Sequence, residues 1–95
     1  MDMKVNITSK GFTISQRLKD FIHERLQKLT KFDKNVSTAR IILLKESRAE
    51  KVELIIESKG NIYISKCYSS VFEKTVIKAI DNIIIQIKKN KGKHK

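Results

Sequence analysis

The spacing of apolar side chains along this chain alternates between two residues and three or four, and this alternation limits the folds that it can adopt. A spacing of two is typical of half-buried strands, and a spacing of three and four is typical of amphipathic helices. The predicted elements, in chain order, are a strand at 4–9, a helix at 15–32, strands at 36–45, 51–58 and 61–68, a helix at 70–89 and a basic tail at 90–95.

The resulting order, β-α-β-β-β-α, predicts the topology. Two strands that flank a helix pair in parallel through a right-handed crossover. The next three strands are close in sequence, with a tight hairpin at Lys59-Gly60-Asn61, and form an antiparallel meander. We therefore expect one α+β domain over residues 1–95, a two-layer sandwich in which both helices cover one face of a four-stranded mixed sheet.

Local signals place the starts of both helices. Ser15 is the predicted N-cap of the first helix, and Thr13 is the competing choice because Gln16 follows it three residues later. Ser70-Val71-Phe72-Glu73 has the pattern of a capping box in front of the second helix. The register of strand 36–45 stays open, because both of its faces are apolar around Ile41–Leu44.

The chain is strongly basic. Its 95 residues contain 21 Lys and Arg against 10 Asp and Glu, which gives a formal net charge of +11. Seven of the lysines follow Ser70, where Glu73 and Asp81 are the only acids. Such a surplus opposes compaction by self-repulsion, so it indicates an anionic partner. The alternative is a compositional bias toward Lys and Ile, as an AT-rich coding sequence produces.

The basic residues of the helices group on particular faces. On a helical wheel Arg25 lies beside the apolar stripe of the first helix, and Ile85 lies among the lysines of the second. Side-by-side helices would join these groups into one basic surface, as in sequence-independent nucleic-acid binding. The alternative to a binding surface is that these long charged side chains are simply solvated and keep the chain soluble. The candidate binding residues are Arg17, Lys19, Arg25, Lys28, Lys31, Lys74, Lys78, Lys88 and Lys89.

Other function classes lack support in the sequence. Cys67 is the only cysteine, and it has no metal-ligand spacing with His23 or His94, so we expect no metal and no cofactor. We expect Cys67 to pack in or beside a strand, His23 to lie exposed on the helix and His94 to lie in the tail. Gly-rich phosphate loops, an apolar membrane-spanning run and a signal-peptide core are missing from the sequence. The sequence indicates a soluble, cytoplasmic, non-enzymatic protein that does not bind membranes.

Four segments resemble the ribosome hibernation-promoting factor and protein Y family. They are V-N-I-T-S-K-G at Val5–Gly11, E-R-L-Q-K-L at Glu24–Leu29, I-I-L-L-K-E at Ile41–Glu46 and Q-I-K-K at Gln86–Lys89. Their order and spacing extend over nearly the whole chain. The resemblance implies a domain related to double-stranded-RNA-binding domains, with the same element order as predicted above.

The resemblance also implies an activity and its residues. The domain would bind 16S rRNA of the small ribosomal subunit at the decoding channel, cover the mRNA and tRNA positions and silence idle 70S ribosomes. Family contacts to rRNA come from basic residues of the two helices. The matching positions here are Arg25, Lys28 and Lys88 or Lys89, and Lys19 matches a less constant basic position.

The chain departs from the family pattern in three places. Ser70-Val71-Phe72 stands where the family has D-M-Y, and the A-I-D that follows is offset. Ile85 stands where the family usually has Arg before Gln. The acidic tail of protein Y and the dimerising domain of long forms are missing from the sequence, so we expect a monomeric short form.

Four hypotheses follow, and the first is favoured. It is a translation inhibitor of the stress response that occludes the small subunit and binds by charge and shape. The second is a double-stranded-RNA-binding module not tied to the ribosome. The third is an interaction module for an acidic protein. An RNA-modifying enzyme is the least supported, because no nucleophile or acid–base pair is apparent in the sequence.

Overall fold

A computed structural model describes residues 3–92 and confirms the predicted order of elements. Four strands form one sheet in the order β1-β2-β3-β4. β1 pairs with β2 in parallel, and β3 pairs antiparallel with both β2 and β4, as predicted. The elements are β1 Lys4–Lys10, α1 Gln16–Leu26, a 3₁₀ segment Gln27–Lys31, β2 Val36–Lys45, β3 Glu50–Ser58, β4 Asn61–Ser69 and α2 Phe72–Gly92.

The core lies between the helices and one face of the sheet. Ala39, Ile41 and Leu43 point into it, and this settles the register of β2 that the sequence left open. Ile42 and Leu44 therefore lie on the other face, where they stay half-buried. Both helices of the described residues lie on the core face, so the sandwich has two layers, as predicted.

α1 starts where the sequence predicts and ends differently. The Ser15 hydroxyl accepts a hydrogen bond from the Leu18 N–H at 3.1 Å, so Ser15 is the N-cap and the alternative of Thr13 is wrong. The α-helix stops at Leu26, and the predicted last turn is the 3₁₀ segment. There the N–H groups of Phe32 and Asp33 both donate to the Leu29 carbonyl, which satisfies the end of the helix.

α2 is displaced from its predicted boundaries. It begins at Phe72, so Ser70 precedes the cap position and the predicted capping box is wrong. Instead, the Ser69 hydroxyl accepts from the Val71 N–H at 3.3 Å, and the Thr75 hydroxyl donates to the Val71 carbonyl at 2.8 Å. The helix also continues through residues 90–92 of the predicted tail. The rest of that tail, including His94, lies outside the described residues.

Contacts at both ends hold α1 and α2 side by side, running in the same direction. Near their starts, the rings of Phe12 and Phe72 stack with centroids 4.7 Å apart. Near their ends, Lys88 and Lys91 of α2 contact Phe32, which follows the 3₁₀ segment. Between these contacts a groove separates the helices. Neither helix is long and apolar enough, over the described residues, to cross a membrane.

Candidate nucleic-acid interface

Arg25 and Lys28 lie at the groove between the helices. This helix groove encloses about 250 Å³ of empty space, part of it open to solvent. The Arg25 guanidinium carbon is 5.3 Å from the centroid of the Phe21 ring, a cation–π distance. Arg25 is half-buried and Lys28 is exposed. Arg25 and Lys28 both line the groove. Its other lining residues are Ile77, Ile80, Asp81 and Ile84.

A second group of cations meets at the C-terminal ends of the helices. The Lys88 ammonium is 5.3 Å from the Phe32 ring centroid, and the Lys91 ammonium donates to the Phe32 carbonyl. Lys31 directly precedes Phe32 and is exposed. One positively charged surface, the basic end, is therefore formed by residues that are far apart in sequence, namely Lys31, Lys88 and Lys91. Lys91 belongs to it although we did not predict it, since the sequence placed it in a tail and not in the helix.

The remaining predicted site residues lie farther from the helix groove. Lys74, Lys78 and Lys89 are exposed along an outer ridge of α2, and Ile85, half exposed at 50%, lies among them. Ile85 is therefore an exposed apolar side chain within a basic ridge. The helix does not rotate to bury it.

On α1 the structure brings Arg17 toward the other cations but not Lys19. Arg17 is exposed and lies two turns before Arg25 on the flank that Phe21 and Arg25 share. Lys19 is half-buried and lies about 120° around the helix axis from Arg25, at about 100° per residue. Lys19 therefore faces away from α2 and is separated from the rest of the predicted set.

The cations of the two helices form no ion pairs within residues 3–92. Every ion pair among residues 3–92 involves Glu53, which bonds Lys51 and Lys66 on the outer face of the sheet. On α1, the carboxylate of Asp20 accepts from the amide of Gln16 at 2.9 Å. The cations of the helix face therefore stay available to a ligand, whereas part of the positive charge on the outer face of the sheet is used in ion pairs within the protein.

A row of amides fixes which side of α2 faces the helix groove. Asn82 donates to Ser65 at 3.2 Å, and Gln86 donates to the Ile64 carbonyl at 2.8 Å. Asn90 donates to the Tyr63 hydroxyl at 3.0 Å. Sequence reasoning missed this amide row. Its four-residue spacing along one side of the helix was the signal that could have revealed it.

The described residues form no metal-binding cluster. Within residues 3–92, no three His, Cys, Asp or Glu side chains lie together as metal ligands. Cys67 is buried in β4, as predicted, where its sulfur lies 3.3 Å from the Asn82 amide nitrogen and 3.6 Å from the Ser65 hydroxyl. His23 is exposed on α1, also as predicted. Cys67 thus serves the packing of α2 on the sheet.

Comparison with curated proteins finds relatives of similar length. The chain is 26% identical over 93 residues to a ribosome hibernation promoting factor of Klebsiella oxytoca, covering 98% of this chain and 94% of that protein. It is 23% identical over 91 residues to one from Pseudomonas putida, covering 96% of this chain and 89% of that protein.

Solved structures share the fold. A ribosomal subunit interface protein from Coxiella burnetii superposes with a TM-score of 0.85 at 20% identity, over 95% of this chain and 99% of that one. The N-terminal domain of Thermus thermophilus protein Y superposes with a TM-score of 0.81 at 16% identity, over 94% and 98%. At these identities the likeness concerns the fold alone.

The family assignment rests on a match to nearly the whole chain. The family model described as sigma 54 modulation protein / S30EA ribosomal protein matches residues 5–95. This range includes both helices and all the cations discussed above. The chain therefore belongs to the sigma 54 modulation protein / S30EA ribosomal protein family, which is the ribosome hibernation-promoting factor and protein Y family that its motifs resemble.

Proposed function

We propose that this protein is a ribosome-associated translation inhibitor. It binds 16S rRNA at the decoding channel of the small subunit and blocks the mRNA and tRNA sites during stasis. Membership in the family and the names of the relatives support the ribosome as partner. In this proposal the protein acts in the cytoplasm as a monomer, on small subunits and 70S ribosomes, and it needs no cofactor.

One observation carries this proposal most directly. The helix groove and the basic end present cations from α1, the 3₁₀ segment and α2 on one side of the molecule. Ion pairs within the described residues use none of these cations, so each can neutralise an RNA phosphate. A face of this kind contacts phosphates and 2′-hydroxyls and follows the shape of the RNA.

Inhibition in this proposal is occlusion. The described body measures 46 × 25 × 18 Å, with the helix layer along one side and the sheet along the other. A rigid body that fills a channel excludes mRNA and tRNA without any chemical step. Rigidity comes from the stacked Phe12 and Phe72 rings and from the amide row, which together fix α2 on the domain.

Sedimentation with ribosomes tests the proposal. Purified protein is mixed with small subunits or 70S particles and run on sucrose gradients at several salt concentrations. Neutralising about 6–10 phosphates predicts an affinity loss of about 10³–10⁵-fold between about 50 and 200 mM salt. Absence from the ribosomal fractions at low salt would contradict the proposal. An affinity that does not change with salt would contradict the phosphate contacts.

The second candidate is a double-stranded-RNA-binding module not tied to the ribosome. It is favoured by the element order from α1 through β2, β3 and β4 to α2, which is that of double-stranded-RNA-binding domains. Gel shifts with a plain RNA duplex separate the two candidates. Tight duplex binding without co-sedimentation supports the module, and co-purification that survives nuclease supports an acidic protein partner instead.

A further inference from the structure

Among residues 3–92, Asp81 is the one carboxylate that lines the helix groove. It lies opposite Arg25 and Lys28, yet the ion pairs of the described residues do not include it. A surface that binds only phosphate gains nothing from a carboxylate in its lining, because that charge repels the ligand. Its position favours a ligand group that donates hydrogen bonds, and the phosphodiester groups of RNA carry no such donor.

The apolar lining of the same groove suits a flat ring. Ile77 and Ile84 are half-buried, and Ile80 is 3% exposed. The empty space of about 250 Å³ includes open solvent, so the groove is a shallow cleft and not a pocket that buries a whole small molecule. A flat ring can therefore enter it only by one edge. Unstacked bases of RNA are recognised in this way, by apolar contact with their faces and hydrogen bonds to their edges.

Among the four bases, guanine matches the charges of the groove. Its N1–H and amino group are adjacent donors, so they can engage both oxygens of one carboxylate. In adenine and cytosine an acceptor nitrogen lies beside the amino group, and in uracil two carbonyls flank the single N–H, so a carboxylate meets repulsion. Guanine also offers O6 and N7 as acceptors, which are the preferred partners of Arg and Lys.

We propose that the helix groove receives an unpaired guanine of the bound RNA, with Asp81 accepting from its N1–H and amino group and Arg25 or Lys28 donating to O6 or N7. This inference rests on the proposed function, because it takes the RNA to be that of the small subunit. It adds a base-specific contact to a surface that otherwise follows phosphates.

Removing the Asp81 carboxylate separates base recognition from charge. Asp81→Asn and Asp81→Ala each remove one negative charge, so phosphate binding alone predicts tighter association with small subunits. A lost guanine contact predicts the opposite sign, a weakening of about 5- to 100-fold, as for one bidentate base contact. Asp81 is exposed and Ala favours helix, so we expect these variants to fold, which circular dichroism and thermal melting check.

Glu24→Gln is the matched control. Glu24 is an exposed carboxylate of α1 that does not line the helix groove, and its removal changes the net charge by the same amount. We expect Glu24→Gln to bind small subunits at least as tightly as the wild type. Weakening by both Asp81 variants alongside this result supports the inference. Asp81 variants that bind as tightly as Glu24→Gln would overturn it.

Chemical modification of guanine gives a second readout. Kethoxal reacts at N1 and the amino group of unpaired guanines, the positions that Asp81 is proposed to cover. Wild-type protein should protect one guanine of the small subunit that the Asp81→Asn complex, formed at saturating concentration, leaves reactive. Identical protection by both proteins would overturn the inference. Failure of the wild type to bind small subunits at all would instead overturn the proposed function.

Discussion

The ammonium of Lys88 lies 5.3 Å from the centroid of the Phe32 ring. Phe32 follows the 3₁₀ segment that ends the first helical region, and Lys88 lies in the last turns of α2. This contact brings together cations that are far apart in the sequence, with Lys31 on one side and Lys88 and Lys91 on the other. The basic end of the proposed interface therefore depends on tertiary packing, in which an aromatic ring separates and orients the positive charges.

Replacing Phe32 with Leu should show the contribution of this ring. The change keeps an apolar side chain but removes the aromatic face, so we expect the free energy of unfolding to fall by about 0.5–1 kcal/mol. A double-mutant cycle with Lys88→Met, measured by urea unfolding, isolates the pair. Coupling close to zero would show that Lys88 gains nothing from the ring.

Gly11 and Gly60 offer a comparison of two glycines with positive φ. Both lie in the left-handed region, at 85° and 86°, where a side chain costs about 1–2 kcal/mol. A Cβ at Gly11 would also lie 2.9 Å from the Lys45 carbonyl oxygen, whereas a Cβ at Gly60 meets open space. We expect Gly11→Ala to destabilise the domain by about 1 kcal/mol or more beyond Gly60→Ala, as overpacking costs about 1–3 kcal/mol. Equal melting temperatures would contradict the close approach.

The buried carboxylate of Asp33 depends on Ser58. Asp33 is 7% exposed and accepts from the Ser58 hydroxyl at 2.6 Å and from the Asn35 N–H at 2.9 Å. Ser58→Ala removes one of these donors, so we expect a loss of about 1–3 kcal/mol in the free energy of unfolding. Ser37→Ala removes an exposed hydroxyl bonded to the Glu57 carbonyl and serves as the control, with little change expected. Similar small effects of both changes would contradict this role of Ser58.

Hydrophobic spacing predicted the order of elements because each element buries a single face. It could not predict the register of β2, whose two faces are both apolar; the helices decide it by covering only one of them. It also missed the 3₁₀ segment, which depends on how the chain leaves Leu29. The false capping box at Ser70 arose because Ser69 lies beside it and bonds Val71 instead. Local patterns fail where a tertiary contact or a neighbouring residue competes.

The candidate site was predictable by residue type more than by position. Exposed cations on helical faces follow from spacing, and the grouping of Arg25 with Lys28 follows from one helix alone. The contribution of Lys91 required the packing of α2 against Phe32. The separation of Lys19 required knowing on which side of α1 the second helix lies. The place of Asp81 in the helix groove could not be predicted from the sequence either, because the groove is formed by residues of both helices.

Ile85 should become an RNA contact when it is changed to Arg. It is 50% exposed among Lys74, Lys78 and Lys89, so a cation there extends the ridge. We expect Ile85→Arg to bind small subunits more tightly at low salt and to steepen the slope of log K against log salt by about 0.7–0.9. Ile62→Arg adds the same charge to the outer face of the sheet, where Ile62 is 65% exposed, and is the control. Equal binding by both variants would place the ridge outside the interface.

Charge reversal at the helix groove tests the central claim most directly. Arg25→Glu with Lys28→Glu should abolish co-sedimentation with small subunits at moderate salt. The melting temperature should fall only slightly, because neither residue forms an ion pair among the described residues and the contact of Arg25 with Phe21 is worth about 0.5–1 kcal/mol. Lys10→Glu with Arg40→Glu makes the same change of charge on the outer face of the sheet and should reduce binding much less. Co-sedimentation of the first variant at the wild-type level, or equal loss in both, would contradict the assignment of RNA binding to the helix face.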